Sequence, residues 1–287
     1  MIMKPGSYKI SADIYHQDGI CPEPSLSRST IKDLIQRTPR HAWENHPRLN
    51  PDYQSEEKAI FDLGSAAHSI FLEGIDKAFV VEADDWRKKE NQQARDDARS
   101  MGLHPLLRHQ YDEVLEMVQV ATTFIADAPE LQIKSLALEG ESELTFIWQE
   151  KDVWCRSRPD WISNNKCLIL DYKTSSGLVE PESYVKILIN NGLDIQHAFY
   201  TRGVEVVDRT FPKFVFLLQE TSRPYLCSLM ELDPAFVEIG MAKVKRGIDL
   251  WRKCLTHNEW PGYPNDIYSL TPPSWAIAQW EGRNATL

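Results

Sequence analysis

An α/β fold, with a central mixed β-sheet flanked by helices and a helical portion ahead of it, is what this sequence of 287 residues predicts. Three observations carry the expectation. Helix signals fill the chain up to residue 128. Strand signals then dominate from Ile133 to Asp171. Helices return after Pro181 with two further strands between them. The expected organisation is one domain over 1–287, with a mainly helical portion at 25–128 and a sheet core with its flanking helices at 129–275.

The elements follow from local signals. Ser27-Arg28-Ser29-Thr30 caps a helix with Ile31, Leu34 and Ile35 on one face, ended by Thr38-Pro39. Pro39 opens a second short helix through Ala42 and Trp43. Ile60 to Leu72 reads as a helix, and its small residues Gly64-Ser65-Ala66-Ala67 allow another backbone to come close to it beside His68. Residues 84–104 are charged with little periodicity and are expected to be a loop or a mobile helix. Leu106 to Ala126 is a long amphipathic helix. Ser142 to Gln149 and Asp152 to Ser157 alternate as strands. Helices follow at Pro181–Ile189 and Asp194–Val206. Phe214–Leu218 and Tyr225–Met230 are strands, with Thr221-Ser222-Arg223-Pro224 turning between them. Asp233-Pro234 opens a long helix to about Leu255, and the tail beyond it is rich in Trp and Pro.

The stretch with most chemical content is Arg158-Pro159-Asp160 followed by Cys167-Leu168-Ile169-Leu170-Asp171-Tyr172-Lys173. It reads as a hairpin turning at Asn164-Asn165. The preceding run 152–157 is the strand in front of it. Period-2 geometry puts Asp171 and Lys173 on one face, roughly 6–7 Å apart along the strand. Four apolar residues before Asp171 predict burial of both faces. Two acids and a lysine at the end of a buried strand are costly unless they are paired, by a divalent metal or by a salt bridge. A second Pro-Asp pair, Pro51-Asp52 before Glu56-Glu57-Lys58, has too short a gap and no apolar strand leading into its acid. It reads as a solvated helix start. Gln196 and Tyr200 are four apart and share a helix face.

Composition narrows the function classes. The hydrophobic fraction of 42% supports a sizeable core, and no apolar stretch approaches the roughly 18 residues of a bilayer span. The first seven residues lack the apolar core of a secretion signal, so a cytoplasmic protein is expected. Five scattered cysteines without Cys-x-x-Cys suggest reduced thiols, with neither a zinc site nor an iron–sulfur cluster. A net charge of −10 opposes a surface uniformly attractive to nucleic acid. Two local islands are positive: five Lys/Arg against two Asp/Glu over 28–48, and six against three over 86–110. They supply the candidates Arg28, Lys32, Arg37 and Arg40, and Arg87, Lys88, Lys89 and Arg95.

Taken in order, Gly-x-x-x-His at 64–68, Arg-Pro-Asp at 158–160, Asp-x-Lys-Thr at 171–174 and Gln-x-x-x-Tyr at 196–200 resemble the RecB-type nucleases of the PD-(D/E)xK superfamily. Within it the likeness is greatest to RecE-type (exodeoxyribonuclease VIII) nuclease domains. Ser25-Leu26-Ser27-Arg28-Ser29, Phe214-Val215-Phe216-Leu217 and Glu259-Trp260-Pro261 extend it over roughly 25–275. The resemblance implies a PD-(D/E)xK core. It implies His68, Asp160, Asp171 and the backbone carbonyl of Tyr172 as ligands of one or two Mg²⁺ or Mn²⁺ ions, and Lys173 as the catalytic lysine. Gln196 and Tyr200 would orient the site or contact DNA. Metal bound there would act as a Lewis acid on the phosphodiester. The implied activity is resection of 5′ strands from duplex ends, leaving 3′ overhangs for a single-strand annealing partner in phage-type recombination. A closed homo-oligomer, even a ring, is implied by the same analogy. An endonuclease for special structures or single strands, and a non-catalytic DNA-binding accessory protein, are the alternatives on this fold.

Overall fold

The computed structural model describes residues 4–53, 62–133 and 136–284; Glu56-Glu57-Lys58 and the expected helix start at Ile60 lie outside them. In chain order the front portion comprises β1 (Gly6–Tyr8), α1 (Ala12–His16), α2 (Arg28–Gln36), α3 (Pro39–Glu44) and α4 (Asp62–His68). A π-helical turn (Ser69–Glu73), β2 (Ala78–Val81), α5 (Lys89–Ser100), β3 (His104–Leu107) and α6 (Arg108–Ala126) complete it. Then come α7 (Leu136–Glu139), β4 (Gly140–Ser142), β5 (Thr145–Glu150), β6 (Val153–Ser157), β7 (Trp161–Ser163) and β8 (Leu168–Ser175). The chain ends with α8 (Pro181–Asn191), α9 (Leu193–Asp208), β9 (Lys213–Glu220), β10 (Cys227–Met230), α10 (Pro234–His257) and α11 (Ser274–Asn284). The predicted cap operates, Ser27 accepting from the Thr30 N–H; α3 opens at Pro39 as expected, and Thr38 caps it by accepting from the His41 N–H.

The central sheet has the order β10-β9-β8-β7-β4 and is mixed. The β8–β9 pair is parallel, with α8 and α9 forming the crossover between them; the remaining pairs are antiparallel. Strands β8 and β9 are covered on both faces, and their side chains alternate between two apolar layers. Ile169, Phe214, Phe216 and Leu218 enter the layer that includes residues of α2, α9 and α10. Leu170, Tyr172, Val215 and Leu217 enter the layer that includes residues of α4 and α6. This burial explains the unbroken apolar run before Asp171.

The hairpin turning at Asn164-Asn165 forms between β7 and β8, and the run 152–157 in front of it is β6, joined to β5 in a separate β1-β5-β6 sheet. One expectation is corrected. The long helix starts at Arg108 instead of Leu106, because Leu106 and Leu107 lie in β3, parallel to β2. Within residues 84–104, expected as a loop or a helix, α5 occupies 89–100, with Ala98 buried. Among the described residues no helix is long and apolar enough to cross a membrane.

Candidate active site

The site forms where β7 runs out. Strand β7 pairs with β8 through Trp161↔Leu170 and Ile162↔Ile169, so among the described residues no strand lies beside this edge of β8 beyond Leu170. Asp160, the residue before β7, fills the gap: its Oδ2 accepts the Tyr172 N–H at 2.9 Å. In an extended strand the N–H and C=O of one residue point the same way, so the Tyr172 carbonyl also faces this opening, and Lys173 Nζ approaches it at 3.5 Å. Lys173 Nζ lies 3.4 Å from Asp160 Oδ2 and forms an ion pair with Asp171 Oδ1. Asp171 is fully buried, and the Gln196 amide donates to its other oxygen.

From the opposite layer α4 brings His68. Its Nε2 lies 3.5 Å from Asp160 Oδ2 and 3.6 Å from Glu143 Oε1. Gly64 explains how the helix comes so near: a Cβ there would stand 2.7 Å from Thr174 Oγ1, so the small residue lets α4 lie against the end of β8. His68, Glu143 and Asp160 each offer a ligand atom, and these atoms lie within 4.8 Å of one another. One imidazole nitrogen and two carboxylates, with a strand carbonyl nearby, suit a divalent cation of the Mg²⁺ or Mn²⁺ kind.

The electrostatics agree with that fit. Burial alone would raise Asp160, but Lys173, His68 and the Tyr172 N–H hold it well below the usual carboxylate range. Burial and the Asp160 charge push Asp171 upward, and the same two causes raise Glu143. Crowded carboxylates are thus strained by mutual repulsion, which a cation would relieve. Burial opposes the charge on Lys173, yet Asp160 and Asp171 more than offset it and hold the amine above its ordinary value. Lys173 is therefore an ammonium at neutral pH, a donor of hydrogen bonds and charge and not a proton acceptor. His68 is likewise raised: burial is outweighed by Asp160 and Glu143.

Comparison with known proteins gives one family match, over residues 27–270, to the PDDEXK-like domain of unknown function DUF3799. The chain belongs to the DUF3799 family. Among solved structures, the "Putative exonuclease" from Eubacterium rectale superposes with a TM-score of 0.62 at 13% identity, covering 94% of this chain and 98% of that one. At that identity the likeness shows a shared fold, and the PDDEXK-like description comes from the family match. A second, the crystal structure of SSO0001, gives a TM-score of 0.27 at 14% identity over 66% of this chain and 86% of that one, and bears no weight. No curated protein sequence matches the chain.

In this DUF3799 chain, Asp160, Asp171, Lys173, His68 and Gln196 are brought together at one place. Tyr200, one turn after Gln196, is buried against Phe214, and burial pushes its hydroxyl well above the ordinary value. Glu143 went unrecognised as a site residue. In sequence it reads as one position of an alternating strand, but the chain turns there with φ of 58°, separating β4 from β5. Its N–H donates to the Asp160 carbonyl, and Arg158 pairs with its Oε2. No sequence signal singled it out, because Glu150 and Asp152 stand nearer to the Arg-Pro-Asp motif.

Of the eight basic candidates, Arg28 is near enough for its charge to bear on the site. Its Nη2 donates to the Asn191 carbonyl, its Nε is buried without an acceptor, and its charge acts on Asp171 and Lys173. Lys32 lies with its stem beside Gly192. Arg37 pairs with Asp33, Arg40 with Glu44, Arg87 with Asp85, Lys88 with Glu90 and Arg95 with Asp96. Lys89 is exposed at the start of α5.

Proposed function

We propose that this chain is a divalent-metal-dependent deoxyribonuclease that degrades linear duplex DNA from its ends. The observation that carries the reading is the His68–Glu143–Asp160 cluster set against the Lys173 ammonium at the open edge of β8. The family's PDDEXK-like description supports it, as does the printed name of the Eubacterium rectale protein. His68, Glu143 and Asp160 would hold the cation with the Tyr172 carbonyl, and Asp171 would complete the set or fix Lys173. Bound Mg²⁺ or Mn²⁺ would supply Lewis acidity at the phosphodiester. Lys173 would donate to the phosphate oxygen that gains charge during the reaction, or hold the attacking water. Gln196 keeps Asp171 from turning away. The finer reading follows the RecE-type resemblance: a cytoplasmic single-domain enzyme, 5′ to 3′ resection, 3′ overhangs passed to a single-strand annealing protein in phage-type recombination, and a homo-oligomer around the DNA.

The test compares an end-labelled linear duplex with a covalently closed circle of the same sequence, with Mg²⁺, with Mn²⁺ and with chelator. Metal-dependent loss of the 5′ label from the linear duplex, with the circle intact, is expected. Cutting of the circle would transfer the site to an endonuclease. No cleavage of either DNA would favour a non-catalytic accessory protein.

For DNA contact we expect Arg28 to matter most. In a cleavage-dead Asp160→Asn background, Arg28→Ala should weaken duplex binding and reduce the slope of log affinity against log salt by about one unit. Arg37→Ala and Arg87→Ala, which remove arginines already paired with carboxylates, should change both less. An equal effect at all three positions would remove Arg28 from the cleft.

A further inference from the structure

The neighbours of Arg158 form a continuous chain of contacts from the amino-terminal segment to the site. Arg158 has a side chain only 10% exposed and pairs through Nε with Glu143 Oε2. That leaves Glu143 Oε1 for the gap beside His68, 3.6 Å away. Arg156 and Arg158, two residues apart and so on one side of the extended chain, both lie over the ring of Tyr15, at 5.3 and 5.8 Å from its centroid. Tyr15 is buried in α1 and donates its hydroxyl to the Arg156 carbonyl at 3.4 Å. Arg156 is fixed in turn: its Nη1 donates to Asp18 Oδ1 at 2.7 Å and to the Ser25 carbonyl at 2.8 Å. Tyr15 and Asp18 precede residue 27, where the family match begins.

We infer that Arg158 is a positioning residue for the candidate metal centre, and that the segment before residue 27 steadies it through the Tyr15 ring. A carboxylate has two oxygens, and whichever one a neighbour engages decides where the other points. By holding Oε2, the guanidinium presents Oε1 to the His68–Asp160 pair. The planar fork of arginine fixes an orientation that a lysine ammonium, a point charge on a flexible stem, does not. The aromatic ring beneath the guanidinium restricts it further, through cation–π attraction and packing. Partners of metal-binding side chains commonly alter affinity about 10- to 100-fold when replaced.

This inference rests on the proposed metal site, and calorimetric titration of the whole chain with Mn²⁺ tests the two separately. Arg158→Lys keeps the charge, so electrostatics alone predicts wild-type affinity. Positioning predicts that Mn²⁺ binds about tenfold more weakly. In a Glu143→Gln background the same substitution should produce no further loss, because the lever it acts on is gone. Tyr15→Leu should weaken Mn²⁺ binding severalfold, and Tyr15→Phe, which keeps the ring, should not. Thermal melting without metal accompanies each titration, and if Arg158→Lys does not fold, the Tyr15→Leu and Tyr15→Phe pair decides. Wild-type Mn²⁺ affinity in Arg158→Lys, an undiminished loss in the Glu143→Gln background, or a Tyr15→Leu protein that melts lower yet binds Mn²⁺ normally would each overturn it. A wild-type chain that binds no Mn²⁺ would overturn the metal site itself, and this inference with it.

Discussion

Asp160→Asn is expected to abolish Mn²⁺ binding and to reduce cleavage of linear duplex DNA by at least about 10³-fold. Asp160 gathers three parts of the site on one oxygen: Lys173, His68 and the Tyr172 N–H all meet its Oδ2. Asparagine keeps the shape and can still accept from the Tyr172 backbone, so the edge of β8 stays satisfied. It loses the negative charge that a cation needs. The fold should tolerate the change, because removing this charge also relieves the repulsion it exerts on buried Asp171 and on Glu143. A melt with and without Mn²⁺ separates the two effects. At a hundredfold excess over the dissociation constant, binding should stabilise the wild type by about 2.7 kcal/mol and leave Asp160→Asn unmoved. A variant whose melting still rises with Mn²⁺ as the wild type's does would remove Asp160 from the metal site.

The parts of this site legible in the sequence are those held by local periodicity. Asp171 and Lys173 share a strand face, and their side chains form an ion pair. Gln196 and Tyr200 share a helix face, and Gln196 reaches Asp171. Gly64 and His68 stand one turn apart, so the glycine that lies against Thr174 also fixes how far His68 projects. What stayed hidden depends on contacts distant in the chain. Glu143 joins the site through a turn whose purpose shows only once β4 is paired with β7. The parallel pairing of β2 with β3 joins segments about 25 residues apart and takes Leu106 and Leu107 out of the helix that their apolar character suggested. Strand β6 alternates as expected, but which sheet it joins was not legible, because alternation reports a face and not a partner. The positive islands illustrate the same limit. Counting charges located them, but not the carboxylates that neutralise most of their arginines.

Lys173 separates catalysis from metal binding. Lys173→Met removes the ammonium while keeping an apolar stem of similar length, and should lower turnover by about 10²- to 10³-fold, the usual range for a lost donor to developing charge. Mn²⁺ affinity should be kept or strengthened, since a cation beside the proposed metal position is gone. The cost in stability is bounded by the chemistry of Asp171. Stranding a buried carboxylate without its partner typically costs about 3–5 kcal/mol. Burial and Asp160 already push Asp171 upward, however, so once Lys173 is absent it can take up a proton instead of remaining charged. Gln196 still donates to one of its oxygens. The loss should therefore fall below that range, as a urea midpoint would measure. The decisive comparison is with Asp160→Asn under identical titration. If Lys173→Met loses Mn²⁺ as completely, the lysine supports the metal position and does not act on the phosphate. If it binds Mn²⁺ and also cleaves within a few fold of wild type, the ammonium serves only to neutralise Asp171, and the salt-bridge reading of the Asp-x-Lys pair is the correct one.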